Sequence, residues 1–503
     1  MPTCEPLTRP AARPWRAWWL LLWVLLGGSS GCATNPVSGQ SDFVMMSEAE
    51  EVAIGRQYHP RILKEYGYYD NEALQEYVQQ VGGKVAAMSH RPGLVYRFTV
   101  VDSPTINAFA LPGGYIYITR GLLAYLDSEA ELAAVLGHEI GHVTARHAVR
   151  QQSAAQAAGI GYTVAQILLP ELRSSAAQDM FNILAQATLS GYGREQELES
   201  DRLGAEYLAR SGYPPQAMLD VLRVLKAQEE YGRQLAQAEG RDPGSVGGYH
   251  GLFASHPDND TRLKEVVNEA LPLYVDRPAA DRGVESFLKQ IDGLVYGDSP
   301  EQGVRRQNRF YHARMGIAVE FPTGWEVQNL ADRVVAVAPS GEATQVMTVQ
   351  DLNRAMPPEQ FIAERLRLQL SDVQPLAVEP LQGVTGRTVV STRQGKRPAR
   401  VSVIYKGPQA FILLGTSREL ADFELYDGKL QQSAASFHAL TPDERALAQA
   451  LRIRLIRADD GTRYATLAQQ SILPGLKEAQ LRLLNQHYPA GEPRTGQMLK
   501  VVK

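Results

Sequence analysis

The chain has 503 residues, of which 44% are hydrophobic and 21% are charged, and its formal net charge is −4. These proportions are ordinary for a folded globular protein of roughly two to four domains. The slight negative charge argues against a nucleic-acid partner. Both cysteines, Cys4 and Cys32, lie near the N-terminus. Disulfides and thiolate chemistry are therefore excluded from the body of the chain, and any catalytic site there depends on other side chains.

The N-terminal segment has the pattern of an export signal. Three arginines precede the apolar run 18–26, and small residues lead from it to Cys32. This order is typical of a secretory signal peptide, and the apolar run is short for a bilayer span. The alternative is a membrane anchor that stays attached. We predict a signal peptide over residues 1–31.

The end of this segment resembles a bacterial lipobox, which implies that Cys32 is lipidated. Ser29 stands where leucine is usual in such sites. No Asp follows the cysteine, and similarity to other lipoproteins then implies anchoring in the outer membrane. We therefore expect a periplasmic protein that is held at the membrane by lipid on Cys32.

Periodicity and turn residues predict the following elements in chain order: a helical region over 47–88, a strand over 96–101, a hairpin over 106–119, and helices over 128–152 and 195–211. The hairpin prediction depends on a Pro-Gly-Gly sequence between two apolar stretches. Ser128 is a suitable N-cap for the first long helix, and Gly212 a suitable end for the second. The apolar runs between these helices are too short and interrupted to predict a membrane span.

An H-E-x-x-H motif spans residues 138–142, inside the helix predicted over 128–152. Residues four apart share one face of a helix, so His138 and His142 can offer imidazole nitrogens to one metal ion. Glu139 lies beside them, where it can take a proton from metal-activated water. The same five-residue pattern also occurs by chance as two helix histidines and a surface glutamate. Two glycines that keep this face small, and a suitable third ligand downstream, favour the metal site.

The third ligand is predicted on the next helix. A catalytic zinc takes three protein ligands and keeps one position open for water. Glu197 and Asp201 lie four residues apart near the start of that helix. We predict one Zn²⁺ per chain, bound by His138, His142 and Glu197. Asp201 is then expected to hold a ligand imidazole in the tautomer that binds metal.

Three other polar residues near these motifs are predicted not to bind metal. An acidic helix start usually compensates the helix dipole, which is our interpretation of Glu195 and Glu199. His147 lies five residues beyond the motif, and we interpret it as a solvated helix histidine.

The combination H-E-x-x-H followed by E-x-x-x-D resembles the CAAX prenyl protease/HtpX/Oma/BepA family of gluzincin metallopeptidases. The resemblance covers about residues 32–272 and extends to further motifs, namely 106–114, Arg194, Ser255-His256-Pro257 and Arg262. It implies a zinc metalloendopeptidase in which Glu139 is the catalytic base. The segment 32–39 is similar to the start of the mature lipoprotein members.

Differences from the family's branches bear on substrates and partners. The lack of convincing transmembrane helices argues against prenylated substrates. The lack of an evident tetratricopeptide tail leaves open whether the outer-membrane assembly machinery is a partner. An extended peptide can add to the edge of a strand, so Asn107, Ala108 and Phe109 are expected to form the substrate edge.

His256 has three alternative interpretations. The resemblance implies that it can cap the metal as a fourth ligand and restrain the enzyme. The second alternative is that His256 stabilises the oxyanion of the transition state instead of restraining the enzyme. The third alternative is an ordinary loop or helix-capping histidine.

We predict an α+β protein with five segments. They are the lipoprotein signal peptide 1–31, a mainly helical zincin protease domain with a small edge-strand sheet over 32–275, a helical linker over 276–305, an α+β accessory domain over 306–440, and a small C-terminal module over 441–503. The last module reads strand, turn, helix, helix, strand. It is similar in outline to a LysM peptidoglycan-binding repeat.

The predicted function is hydrolysis of peptide bonds in misfolded or unassembled envelope proteins, as part of periplasmic quality control. One alternative is a protease-fold chaperone or scaffold for outer-membrane assembly. Another is a peptidoglycan-associated hydrolase, suggested by the C-terminal module. A complete set of His138, Glu139, His142 and Glu197 argues against a non-catalytic protein.

Overall fold

The structure is a computed structural model. It describes residues 32–44, 46–153, 193–238, 240, 259–273, 282–392 and 395–503. Within these ranges, no helix has both the length and the apolar character that crossing a membrane requires. The predicted signal peptide and His256 lie outside the described residues.

The described part of the first half of the chain is mainly helical and contains two small sheets. Its elements are β1 (Cys32–Thr34), β2 (Ser41–Phe43), α1 (Glu48–Tyr66), α2 (Glu72–Ala86), β3 (Arg97–Val101), β4 (Ala108–Leu111), β5 (Tyr115–Thr119), α3 (Arg120–Tyr125), α4 (Glu129–Thr144), α5 (Arg194–Ser211), α6 (Ala217–Ala238) and α7 (Asn259–Ala270). Strands β1 and β2 pair with each other. The second sheet has the order β3-β5-β4, with β5 parallel to β3 and antiparallel to β4. Strand β4 therefore lies at an edge of the described sheet.

Local sequence explains where these elements turn and end. The side chain of Ser128 accepts a hydrogen bond of 3.2 Å from the backbone N–H of Glu131, which confirms the predicted cap of α4. Helix α5 ends at Gly212, whose φ of 82° is in the left-handed region that glycine favours. Gly113 and Gly114, with φ of 79° and 84°, make the turn between β4 and β5, as the hairpin prediction requires.

The second half begins with a short helix and continues into antiparallel sheets. Its elements up to residue 447 are α8 (Val284–Ile291), β6 (Val295–Tyr296), β7 (Val304–Arg306), β8 (Arg309–His312), β9 (Ile317–Glu320), β10 (Glu326–Leu330), β11 (Arg333–Val337), β12 (Ala343–Asp351), α9 (Pro358–Glu364), β13 (Ser371–Pro375), β14 (Gln382–Thr392), β15 (Gly395–Lys406), β16 (Gln409–Ser417), α10 (Phe423–Ala435), β17 (His438–Ala439) and α11 (Pro442–Leu447). Seven strands form a sheet with the order β10-β11-β12-β16-β15-β14-β13. Four more form a sheet with the order β17-β9-β8-β7. Mixed helices and sheets agree with the predicted α+β class.

The C-terminal elements have the predicted order of strand, helix, helix and strand. They are β18 (Leu451–Arg457), α12 (Tyr464–Gln470), α13 (Lys477–Leu484) and β19 (Met498–Val502). Strand β18 pairs with β19 and also with β6, which precedes the accessory sheets. The accessory sheets are thus inserted between two strands of one small sheet. The resemblance of this module to a LysM repeat stays a prediction.

The C-terminal elements share a hydrophobic core with the helix that carries the H-E-x-x-H motif. Ile453, Tyr464 and Leu484 are buried in the same cluster as Leu132 and Leu136 of α4. Apolar burial of this kind is the main source of folding stability. We therefore expect the C-terminal elements and the helices around α4 to fold as one unit. The domain boundaries drawn from the sequence stay predictions.

Candidate metal centre

Helices α4 and α5 bring three predicted metal ligands together. The Nε2 atoms of His138 and His142 lie 3.0 Å apart. Glu197 places Oε2 at 3.4 Å from Nε2 of His138 and Oε1 at 3.8 Å from Nε2 of His142. One ligand atom from each of the three residues lies within 4.8 Å of the others, and all three side chains are buried. The three groups therefore face one common point.

The distances between these ligand atoms fit a zinc ion. Tetrahedral zinc with bonds of about 2.0–2.1 Å separates neighbouring ligand atoms by roughly 3.3 Å. The three observed separations, 3.0, 3.4 and 3.8 Å, lie around that value. Two imidazoles and one carboxylate are also a ligand set that catalytic zinc sites use. His138, His142 and Glu197 could thus hold a divalent cation and leave one position open.

Glycines allow the two helices to approach closely enough for this convergence. A Cβ at Gly141 would lie 2.6 Å from Oγ of Ser200, and a Cβ at Gly137 would lie 2.8 Å from a methyl group of Leu208. Across the same interface, a Cβ at Gly204 would lie 3.1 Å from the backbone nitrogen of His138. Contacts this short leave no room for side chains. The small helix face predicted from the sequence is therefore confirmed.

His138 is held from the side opposite the ligand cluster. Its Nδ1 lies 2.9 Å from Oδ1 of Asp201, and its backbone carbonyl accepts a hydrogen bond of 2.6 Å from Ser200. Burial alone would lower the pKa of His138, but the bonds to Asp201 and Glu197 raise that pKa well above its usual range. A carboxylate on Nδ1 leaves the lone pair of Nε2 for a metal. Asp201 and His138 thus lie together, and the role of Asp201 in fixing the tautomer of His138 stays a prediction.

His142 has a different partner, which the sequence interpretation missed. Its Nδ1 lies 2.8 Å from Nδ1 of His147, and Nε2 of His147 lies 3.0 Å from Oε2 of Glu199. His147 is fully buried, so the prediction of a solvated helix histidine is wrong. Glu199 does more than compensate the helix dipole, because it accepts hydrogen bonds from both His147 and Arg150.

The reason for this error is a break in the helix. The sequence predicted one helix over 128–152, in which residues five apart point about 140° away from each other. Helix α4 instead ends at Thr144, and a turn at Arg146, with φ of 56°, precedes a second helical segment over 147–153. The turn directs His147 back towards His142. A left-handed residue other than glycine has no clear signal in the sequence.

Glu139 is buried beside the three ligand residues. Glu139 lies on the same helix as the two histidines, and the residue as a whole is 4% exposed to solvent. The pKa of the Glu139 carboxyl is raised to about 7, mainly by burial, with an opposing effect of His138 and a further raising effect of Glu197. A carboxyl group with a pKa near neutrality is suited both to accept and to return a proton.

Strand β4 contains most of the predicted substrate edge, and its side chains pack on both faces of the strand. Phe109 stacks on Tyr117 with ring centroids 4.9 Å apart, whereas Ala108 packs on the opposite side of the strand in the main core. Both faces of β4 are therefore covered. At its start, Asn107 has a buried Oδ1 without a hydrogen-bond partner among the described residues. A buried amide oxygen of this kind has unused capacity to accept a hydrogen bond.

The remaining predicted site residues are placed only in part. Cys32 begins β1, where its backbone pairs with Phe43, but its side chain lies outside what the structure describes. His256 lies in a stretch outside the described residues, so its three alternative roles stay open.

Comparison with known proteins shows where the chain has relatives. The model of Peptidase family M48 matches residues 72–270. The chain is 30% identical over 269 residues to the beta-barrel assembly-enhancing protease of Yersinia pestis, covering 52% of each protein. It is 31% identical over 231 residues to the mitochondrial metalloendopeptidase OMA1 of Arabidopsis thaliana, covering 45% of this chain and 43% of that protein. The chain thus spans about half the length of the curated relatives it matches.

Solved structures are also similar to a smaller part of the chain. Among them is cyanobacterial PsbP from Synechocystis, at 13% identity and a TM-score of 0.21, over 27% of this chain and 95% of that one. A TM-score this low assigns no fold. The family match covers both helices of the metal centre and confirms the resemblance inferred from the motifs. Over residues 72–270, the chain is therefore similar to peptidase family M48.

Proposed function

We propose that this chain is a zinc-dependent metalloendopeptidase. The observation that carries the proposal is the convergence of His138, His142 and Glu197 on one point beside the buried carboxyl of Glu139. The match to Peptidase family M48 and the metalloendopeptidase among the relatives support a divalent metal. We take this metal to be zinc, because two imidazoles and one glutamate are a ligand set of catalytic zinc sites. The names of the relatives, protease and metalloendopeptidase, agree with the proposed reaction.

Glu139, Asp201 and the three ligand residues have different roles in the proposed peptide hydrolysis. Zinc in such a site supplies Lewis-acid polarisation of the scissile carbonyl and makes water more acidic. Glu139 accepts the proton of the attacking water and later delivers it to the departing amine. Asp201 keeps His138 in the tautomer that binds metal. His138, His142 and Glu197 contribute ligand atoms only, so that water has one open position.

Substrates are proposed to be misfolded or unassembled envelope proteins. Strand β4 has covered faces and a free edge among the described strands, so an added peptide would be recognised through its backbone. Backbone recognition favours extended, unfolded segments of many sequences. The name of the Yersinia relative, which refers to beta-barrel assembly, supports an envelope role.

The protein is proposed to work in the periplasm, anchored to the outer membrane by lipid on Cys32. The basic and apolar N-terminal pattern and the small residues before Cys32 support this location. In a Gram-negative host, wild-type protein should fractionate with the outer membrane. Cys32→Ser should appear as soluble or unprocessed material. Mature Cys32→Ser that still fractionates with the outer membrane would remove the lipid anchor from the proposal.

The direct test is cleavage of an unfolded protein. We expect the purified chain to cleave casein, to lose this activity to a zinc chelator and to regain it with added zinc. Glu139→Gln should keep zinc but lose about 10²–10⁴ in rate, because its role is proton transfer. Glu195→Gln, a matched change at an exposed residue, should cleave normally.

The same preparation distinguishes the alternatives. A chaperone or scaffold would suppress aggregation of unfolded protein equally well in wild type and Glu139→Gln, without cleavage. A peptidoglycan hydrolase would release fragments from purified sacculi and leave casein intact. Casein cleavage that persists at the wild-type rate in Glu139→Gln would show that another group is the base.

A further inference from the structure

His142 and His147 form a chain of hydrogen bonds that leads away from the ligand cluster to a carboxylate. Nε2 of His142 faces His138 at 3.0 Å, and its Nδ1 faces Nδ1 of His147 at 2.8 Å. The chain continues from Nε2 of His147 to Oε2 of Glu199 over 3.0 Å. Every ring nitrogen of these two histidines therefore faces a named neighbour.

The positions of the protons follow from this arrangement. A neutral imidazole that offers Nε2 to a metal carries its proton on Nδ1. The Nδ1–H of His142 then donates to His147, whose Nδ1 must be the acceptor. His147 in turn carries its proton on Nε2 and donates it to the carboxylate of Glu199, which can only accept. One protonation pattern satisfies every member of the chain.

The position of His147 depends on a turn that distant residues hold in place. Arg146 occupies the left-handed region at φ 56°, which is unfavourable for a residue with a side chain. Its guanidinium donates to Glu51 on helix α1 and, over 2.7 Å, to the carbonyl of Met46. Arg91 donates to the same Glu51 over 3.0 Å and to the carbonyl of Val143 over 3.1 Å. The helix break is thus stabilised by a buried cluster of charges.

We propose that His147 and Glu199 are positioning residues for the metal ligand His142. The role of His147 is to accept a hydrogen bond from the Nδ1–H of His142, and the role of Glu199 is to hold His147 in the tautomer that can accept it. The two ligand histidines would then be oriented differently, His138 directly by Asp201 and His142 through a second imidazole. This inference rests on the metal centre of the proposed function.

The first test is zinc affinity, measured by competition with a chromophoric chelator and independent of activity. Partners that orient a metal-binding histidine typically contribute about 10–100-fold in affinity. We expect a loss of that size in His147→Phe, which keeps a ring but accepts no hydrogen bond. His147→Asn should recover much of the loss, because its amide oxygen can occupy about the place of Nδ1. Weakened binding with this rescue would support positioning; equal affinity in all three proteins would overturn it.

A second pair of variants covers the case in which His147→Phe does not fold. Glu199 is only half-buried, so Glu199→Ala is expected to fold, and it removes the acceptor for Nε2–H of His147. It should weaken zinc binding, whereas Glu195→Ala on the exposed side of the same helix should not. Thermal unfolding with excess chelator checks that the folds are alike. Glu199→Ala that binds zinc like wild type would contradict the inference.

The outcome for wild type separates this inference from the proposed function. A wild-type chain that binds no zinc would overturn the proposed function and this inference with it. A wild-type chain that binds zinc, with unchanged affinity in the variants of His147 and Glu199, would overturn this inference alone.

Discussion

Lys500, in the last strand of the chain, donates a hydrogen bond of 2.8 Å from Nζ to the backbone carbonyl of Leu126, just before the helix that carries the H-E-x-x-H motif. The same ammonium group donates to the carbonyl of Ala124 over 2.9 Å and forms an ion pair of 2.6 Å with Asp127. Lys500 is almost completely buried. Lys500 of strand β19 thus satisfies polar groups just before helix α4.

Replacing Lys500 should destabilise the protease domain as well as the C-terminal module. In Lys500→Met, two buried carbonyls lose their donor, and we expect a loss of about 2–5 kcal/mol in the free energy of unfolding. The measurement is urea unfolding followed by circular dichroism. Lys503→Met, a change at an exposed lysine at the end of the same strand, is the control. Unchanged stability in Lys500→Met would mean that these contacts contribute nothing to the fold.

The close packing of α4 on α5 predicts a large effect from one methyl group. Gly141→Ala would place its Cβ 2.6 Å from Oγ of Ser200, so helix α5 must shift and carry Glu197 with it. We expect a loss of about 1–3 kcal/mol in stability together with weaker zinc binding. Gly83→Ala is the control, because no atom lies within 4 Å of its Cβ and alanine favours a helix. Normal zinc affinity in Gly141→Ala would show that the ligand geometry tolerates a wider helix spacing.

The accessory domain contains a histidine that should make stability depend on pH. The pKa of His312 is lowered to about 4, mainly by burial and also by the nearby Arg314, against the opposing effect of a backbone hydrogen bond at Glu301. The unfolded chain binds a proton on this residue below about pH 6.5, whereas the folded chain does not until about pH 4. The free energy of unfolding should therefore fall as the pH drops through this window.

The size of this effect can be isolated with one variant. At pH 5, His312 should lower the stability by about 2 kcal/mol relative to pH 7. His312→Asn keeps an acceptor for the N–H of Met315, which bonds to His312 in the wild type, but does not titrate. Urea unfolding at the two pH values should show a smaller loss in the variant. An equal loss in both proteins would mean that His312 is protonated as easily in the folded chain as in the unfolded one.

The parts of the site that the sequence predicted have short-range signals. His138 and His142 are one helical turn apart, and Ser128 and Gly212 mark helix ends by their own chemistry. Glu197 could be predicted as well, because a catalytic zinc needs a third ligand and an acidic residue follows on the next helix. The histidine pair and the helix ends depend on residues close in sequence, whereas Glu197 was found through the short E-x-x-x-D pattern on its own helix.

The parts that could not be predicted depend on distant residues. His147 reaches His142 only because the helix breaks at Arg146, and that turn is held by Glu51, which lies 95 residues away in the sequence. The bond from Lys500 to Leu126 joins residues 374 apart. The residues that neighbour His147 and Lys500 in the sequence do not predict these partners. Tertiary packing determined these contacts, and periodicity alone indicated a continuous helix and a separate module.

His138, His142 and Glu197 are proposed to bind one catalytic zinc together, and the number of zinc ions per chain decides whether they do. Native mass spectrometry of the purified wild type should show one zinc per chain. Glu197→Ala should lose most of it, since two imidazoles alone leave the site without its third ligand. A wild type without zinc, or full zinc occupancy in Glu197→Ala, would contradict this account.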